Sequence, residues 1–269
     1  MSDRVKVHGI GFVTADVVTR LAARPDINGR LVQAFSDTLH FANDLISRVY
    51  VVRQQNPQEQ QRVIALLMLV RLTEISESTF ILAAHGVRQE LYSLFRIFLD
   101  AYFLLANVCL DSEFVPVYLR TDEQTRLTLM NAAAKHNDEL FKPLNDYATA
   151  EMKGKIKEKI QQEGIESLKA LTFAQRAECE QIYDSMYRLC SASIHTSPRC
   201  LAEYVDVDAR GDIRAIVHSG DVEAIHRVLY DTQYFFVKAL RGVCEVFSLA
   251  ESVTLDELDS SRETALGGE

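Results

Sequence analysis

Apolar positions recur at three- and four-residue spacing along most of the chain, a period that predicts helices. Between Gly29 and Gln54, the residues Leu31, Phe35, Leu39, Ala42, Leu45, Ile46 and Val49 fall on one helical face. Asn56-Pro57-Gln58-Glu59 then reads as a helix start: a capping Asn, Pro in the first turn, and an acid where the peptide dipole favours one. That helix is expected to reach about Ala84 and to stop at Gly86. From Val87 to Leu110 the run LYSLFRIFLDAYFLLANV is apolar nearly all round, which places its helix inside a bundle. Thr121-x-x-Gln124 and Thr172-x-x-Gln175 match the capping-box pattern and predict two further helix starts, the second helix running to His195 and stopping at Thr196-Ser197-Pro198. Between them, AEMKGKIKEKIQQEG alternates Lys and Glu around Met152, Ile156 and Ile160, the pattern of a solvated peripheral helix laced by i,i+4 pairs. Alternation with period two occurs where residues 203–207 and 213–217 flank Ala-Arg-Gly-Asp, predicting a hairpin. A last helix is expected from about Asp221 to Ser252.

The fold class is therefore all-α, a multi-helix bundle with one short β-hairpin near residues 203–218. Residues 1–28 form an N-terminal segment, 29–252 the bundle, and 253–269 an acidic tail expected to be disordered. Only 11 Gly and 5 Pro in 269 residues agree with long helices. The formal charge of −9 is concentrated at the end, where Glu251, Asp256, Glu257, Asp259, Glu263 and Glu269 face only Arg262. The body is nearer balance and lacks the basic stripe of most nucleic-acid binders, but a small basic cleft fits inside such an average. Five cysteines, an odd number without C-x-x-C, are those of a reducing compartment, and the start has no signal-peptide pattern. A cytoplasmic location follows as the expectation. Arg96 and Asp100 interrupt the one long apolar run, so no membrane partner is expected.

Familiar motifs are absent: no H-E-x-x-H, Walker A, G-x-G-x-x-G or G-x-S-x-G. Asp206-x-Asp208 lacks the Glu that a calcium loop requires twelve residues in, and Cys190, His195 and Cys200 straddle a predicted helix end. No metal and no cofactor is expected. Two constellations remain. Arg96 and Asp100 are adjacent on one face of the apolar helix, where charge is costly unless paired, and Glu74 and Ser78 of the preceding helix, with Arg71, are candidates to join them in a polar centre. A buried ion pair fixing helix register is the structural alternative. In the second, Arg188 and His195 are seven residues apart, about two turns, so they share a helical stripe with Asp184 and Ser191. A guanidinium and an imidazole on one face suit a phosphodiester and the movement of its proton. A plain solvent face is the competing reading, with Ile182, Met186, Leu189 and Ser193 opposite.

LTEISESTFILAAHGVRQELYSLFRIFLDAYFLL, followed later by YRLCSASIHTSPRCLAEY, resembles a bacterial family catalogued as domain-of-unknown-function family 5677. The matching positions are Gly86, Arg96 and Asp100, then Ser191, His195 and Pro198. The Arg188-x6-His195 arrangement is also similar to HEPN (higher eukaryote and prokaryote nucleotide-binding) domains, many of them metal-independent ribonucleases of toxin and antiphage systems. That resemblance implies a homodimer with the pair facing across its interface, an RNA substrate, and an antitoxin or defence-system partner. It implies that Arg188 stabilises the phosphate and that His195 moves the proton during attack by the 2′-hydroxyl. Arg188 is followed here by Leu189, where those domains carry a polar residue. Three classes stay open: a catalytic pair at Arg188 and His195, a non-catalytic helical sensor or interaction module, and a ligand-binding bundle around Glu74, Arg96 and Asp100.

Overall fold

The start predicted at Asn56 forms as its side chain dictates: in the computed structural model, Asn56 Oδ1 accepts a hydrogen bond from Glu59 N at 2.9 Å and Pro57 opens the helix. The structure describes residues 4–5, 11–25, 27–52, 56–136, 139, 141–195, 198–217 and 222–266. Strand β1 (Arg4–Val5) pairs antiparallel with β2 (Val51–Val52), and between them lie α1 (Ala15–Ala22) and α2 (Gly29–Arg48). Two long helices follow, α3 (Pro57–Ala84) and α4 (Gln89–Leu110), joined at Gly86, whose φ of 72° is the left-handed conformation glycine adopts without strain. Then come α5 (Phe114–Arg120), α6 (Asp122–Ala133), α7 (Lys142–Tyr147) and α8 (Ala150–Gln162). The last is the Lys/Glu helix: Ile156 is buried, Lys155 pairs with Glu151, and Lys159 reaches Glu123 at 2.7 Å.

Neither capping box forms. Thr121 donates its hydroxyl to Tyr118 O, and Gln124 reaches across to Ile165 O instead of back to the helix start. Thr172 lies inside α9 (Ala170–Arg176). The single helix expected from Thr172 to His195 is broken. It stops at Arg176, turns through Glu178 with φ of 56°, and resumes as α10 (Glu180–Ile182), a π turn (Tyr183–Tyr187) and α11 (Arg188–Ile194). His195 leaves the helix in extended backbone, and the Thr196-Ser197 part of the predicted stop lies outside the described residues. Helix α12 (Pro198–Ala202) leads into the expected hairpin, β3 (Val205–Val207) and β4 (Ile213–Ile216), whose turn is held by Asp208 Oδ1 accepting from Arg210 N and Asp212 N.

Helix α13 (Val222–Val246) closes the bundle, and α4 sits among α3, α13 and α11. Helix α4 is long and apolar enough to cross a membrane by composition, yet half of it is buried inside this bundle. Its Phe98 meets Phe236 of α13 edge to face at 6.2 Å, with Phe95, Leu99 and Phe103 fully enclosed around it.

Over its described residues, 253–266, the acidic tail is not disordered. It forms α14 (Ser252–Leu266), packed on α2 and α13. Leu255, Leu258 and Ala265 are buried, and so is Arg262, whose guanidinium lies over Tyr230 and Tyr234 at 4.6 Å and bonds Asp259 at 2.7 Å. Asp256, Glu257 and Glu263 face outward, and Asp256 and Glu251 reach Arg241 and Arg48. A sparse apolar stripe is completed by a stacked arginine, which average polarity conceals. Leu255→Ala is therefore expected to destabilise the protein by about 2–5 kcal/mol in urea unfolding, whereas Val253→Ala, on the exposed side, stays within about 0.5 kcal/mol. Equal and negligible effects of the two would mean that the tail does not dock.

Candidate functional site

A π turn carries about one more residue per turn than an α-helix, so it rotates everything after it relative to the face before it. In an uninterrupted helix Ile182, Met186 and Leu189 would share the buried side. Instead Tyr187 and Cys190 are buried, Leu189 is more than half exposed, and the faces of the segment are redistributed. The turn also brings Tyr183 and Tyr187 into a parallel stack, with ring centroids 4.7 Å apart and 18° between planes.

That stack continues at both ends. Arg96 of α4 lies over the Tyr187 ring at 4.9 Å, and Arg188 lies over the Tyr183 ring at 5.5 Å. Arg96 Nη2 donates to the Tyr187 hydroxyl at 2.8 Å and Nε donates to Ser191 Oγ at 3.1 Å. Asp100, one turn along α4, pairs with Arg96 at 3.5 Å and accepts from the Tyr187 hydroxyl. At the other end Asp184 Oδ1 accepts from Arg188 Nε at 2.9 Å. Two arginines, two tyrosines and two carboxylates thus form one chain of contacts from α4 to the exposed side of α11.

The two constellations read from the sequence are therefore connected through Ser191, which Arg96 holds and which follows Arg188 by three residues and precedes His195 by four. Arg188 and His195 are both exposed. Glu74 and Ser78 are not brought to this centre. Glu74 faces solvent beside Arg71 at 3.6 Å, and the Ser78 hydroxyl donates to the Glu74 carbonyl of its own helix. Near Glu74 it is Glu77, one turn further on, that is buried, and it accepts from Asn43 Nδ2 at 2.9 Å and Phe12 N at 3.2 Å. A Cβ at Gly11 would strike that carboxylate, so the approach of this segment requires glycine. The Cys190, His195, Cys200 spacing gathers no ligand set: Cys190 is buried, and Cys200 accepts from Gln89 and bonds the Ser193 carbonyl.

The tyrosines were not anticipated from the sequence, although Tyr183 and Tyr187 flank Asp184 at i,i+4 spacing. Tyr187 is held strongly protonated, its pKa pushed up to about 12 by burial first and the Asp100 charge second. It can donate a hydrogen bond at neutral pH but does not supply a base. Burial also pushes the Asp100 carboxyl up, while the Arg96 guanidinium and the Tyr187 hydroxyl pull it part of the way back.

Folded Asp100 thus holds its proton more tightly than an unfolded aspartate. Its contribution to stability is full below the unfolded value of about pH 3.9 and is lost as pH rises through the folded one. Asp100→Asn cannot ionise and escapes that loss. In urea unfolding across pH, stability of the variant relative to the parent is expected to rise with pH through this window and to level off above it. A difference independent of pH would mean that the carboxyl is unperturbed.

Comparison with known proteins adds one finding. The profile of the Family of unknown function (DUF5677) matches residues 62–213, more than half of the chain, and that span contains α4, the π turn and α11. No curated protein and no solved structure matches the chain.

Proposed function

The chain belongs to that family by the match over residues 62–213, and we propose that it is a metal-independent RNA endonuclease of the HEPN-like kind, acting as a homodimer through Arg188 and His195. The observation that carries this reading is the bond from Arg96 to Ser191, continued by the Arg96–Tyr187–Tyr183–Arg188 stack. It anchors Arg188, and through Ser191 the helix turn that ends at His195, to the central helix, as a reactive constellation requires.

Arg188 is engaged by Asp184, but both side chains are more than half exposed, and such pairs contribute about 0–1 kcal/mol. A phosphate displaces that carboxylate at small cost and takes the planar guanidinium donors instead. His195 then removes the proton of the 2′-hydroxyl, whose oxygen attacks the adjacent phosphorus as the 5′-oxygen leaves, and the imidazolium returns that proton to the leaving oxygen. Arg96 and Asp100 act as positioning groups, holding Ser191 and Tyr187. Leu189 and Ile194 of α11, both exposed, support a second copy lying over this face. A toxin or antiphage setting, with an antitoxin or defence-system partner, goes with this reading.

A second reading is favoured by the Asp184 pair itself and by the hairpin: a non-catalytic interaction module. Val207, Ile213 and Ile216 are all more than half exposed, the last at 83%, and offer a partner an apolar surface.

Cleavage of single-stranded RNA by the purified protein in EDTA separates the two. The catalytic reading expects activity in the parent and a loss of about 10²-fold or more in both Arg188→Ala and His195→Ala, without loss of fold. Equal activity in all three, or none in any, leaves the interaction module.

A further inference from the structure

On the other flank of the π turn, α4, α11 and α13 leave a cleft of about 510 Å³, within the range of small-molecule sites. None of the four stacked side chains lines it. Tyr92 and Phe95 of α4, Met186 of the π turn and Val228 of α13 make its apolar walls. The charged groups in it come from α13: Glu223, Arg227 and Asp231.

Asp231 is the unusual member. Its side chain is 17% exposed, and its cationic neighbour Arg227 stands 3.6 Å away with 77% of its own side chain in solvent. That contact is long for a charge-assisted hydrogen bond, so a carboxylate turned into an apolar cleft is only partly compensated. Burial pushes the Asp231 carboxyl up to about 6, despite the opposing pull of Arg227 and, further off, Arg262. Glu223 adds a second acid, which gives the cleft a net negative lining. Tyr92, partly exposed on the cleft wall, supplies the aromatic ring beside which an organic cation rests favourably. Covalent chemistry does not fit. The cleft thiol, Cys190, is pushed up to about 12 by burial and by Asp231, so it is not a thiolate at neutral pH. A π turn supplies one wall, and such turns recur where helices have been reshaped around a ligand.

We propose that this cleft binds a small apolar molecule carrying a cationic amine, its body lying among Tyr92, Phe95, Met186 and Val228 and its ammonium on the Asp231 carboxylate. Recognition has two independent parts. The apolar walls provide affinity without regard to charge, and Asp231 selects the cation. The assignment stands apart from the RNA chemistry: of the residues invoked there, Leu189, offered to the second copy, also lines the cleft, and no group acting on the RNA does.

The chain contains no Trp, so an indole probe reports its own binding free of protein indole emission. Tryptamine, its neutral relative skatole and its anionic relative indole propionate are titrated into the full chain, with circular dichroism monitoring the fold of each variant. The expected result is saturable binding in the order tryptamine, skatole, indole propionate. Asp231→Asn weakens tryptamine about tenfold and leaves skatole unchanged. Ser185→Phe, an exposed position on the rim, removes the binding of all three by filling the cleft. Absence of tryptamine binding overturns the proposal, as does equal affinity for tryptamine and skatole. So does binding that survives Ser185→Phe, which places the probe elsewhere. If Asp231→Asn does not fold, the order of the three probes on the parent decides alone.

Discussion

A helix that is apolar almost all round has to be enclosed, and α4 imposes that demand on its neighbours. Helix α3 precedes it through the Gly86 turn, α13 covers it with Phe235 and Phe236, and α11 closes the remaining side. Enclosure creates a difficulty at Arg96 and Asp100, because ions taken out of water lose solvation that only good partners replace. The half-buried pair is therefore met by Tyr187 and Ser191 of the covering segment. Two features follow from one constraint: the segment over α4 must be tight enough to bury Cys190, and polar enough to satisfy a guanidinium.

The π turn reconciles those requirements. Its extra residue rotates the segment, so that Tyr187 points toward Arg96 while Met186 and Ser185 face the cleft against α13. Without it, the apolar set Ile182, Met186, Leu189 would cover α4 and Tyr187 would turn away. The same rotation leaves Leu189 and Ile194 exposed beside Arg188 and His195. Exposed apolar residues next to a charged pair are a cost of that geometry.

The long elements were legible because their signals are local. Asn56 and Pro57 define the start of α3, and Ile156 marks the buried line of α8 among its lysines. What escaped was set by tertiary contacts. The tail reads as acidic and polar, yet Leu255, Leu258, Arg262 and Ala265 make one stripe once Tyr230 and Tyr234 are there to receive the arginine. Thr121 and Gln124 have capping-box spacing, but each found a better partner elsewhere. On α3, Glu74 and Glu77 are equally acidic in sequence, and only the arrival of Asn43 and Gly11 makes Glu77 the buried one. In the candidate site, Arg96, Asp100, Ser191, Arg188 and His195 were all visible as residue types at helical spacing. The tyrosines joining them were not, because a π turn has no reliable sequence signature.

Electrostatics sets the terms on which this face can hold a polyanion. Each arginine has its own carboxylate within 3.5 Å, Asp100 for Arg96 and Asp184 for Arg188, so the face carries little net field. The chain as a whole is at −9, and RNA gains no long-range attraction from it. Binding in the proposed site must then come from short-range exchange, with a phosphate replacing Asp184 on Arg188. The two arginines are not equivalent in that exchange. Arg188 sits in an exposed pair that water already screens, and it is free to change partner. Arg96 is tied to Tyr187, Ser191 and Asp100 together, and moving it would break the polar contacts that make its position on an apolar helix tolerable. Arg188 is thus the group suited to a ligand, and Arg96 the one suited to the fold.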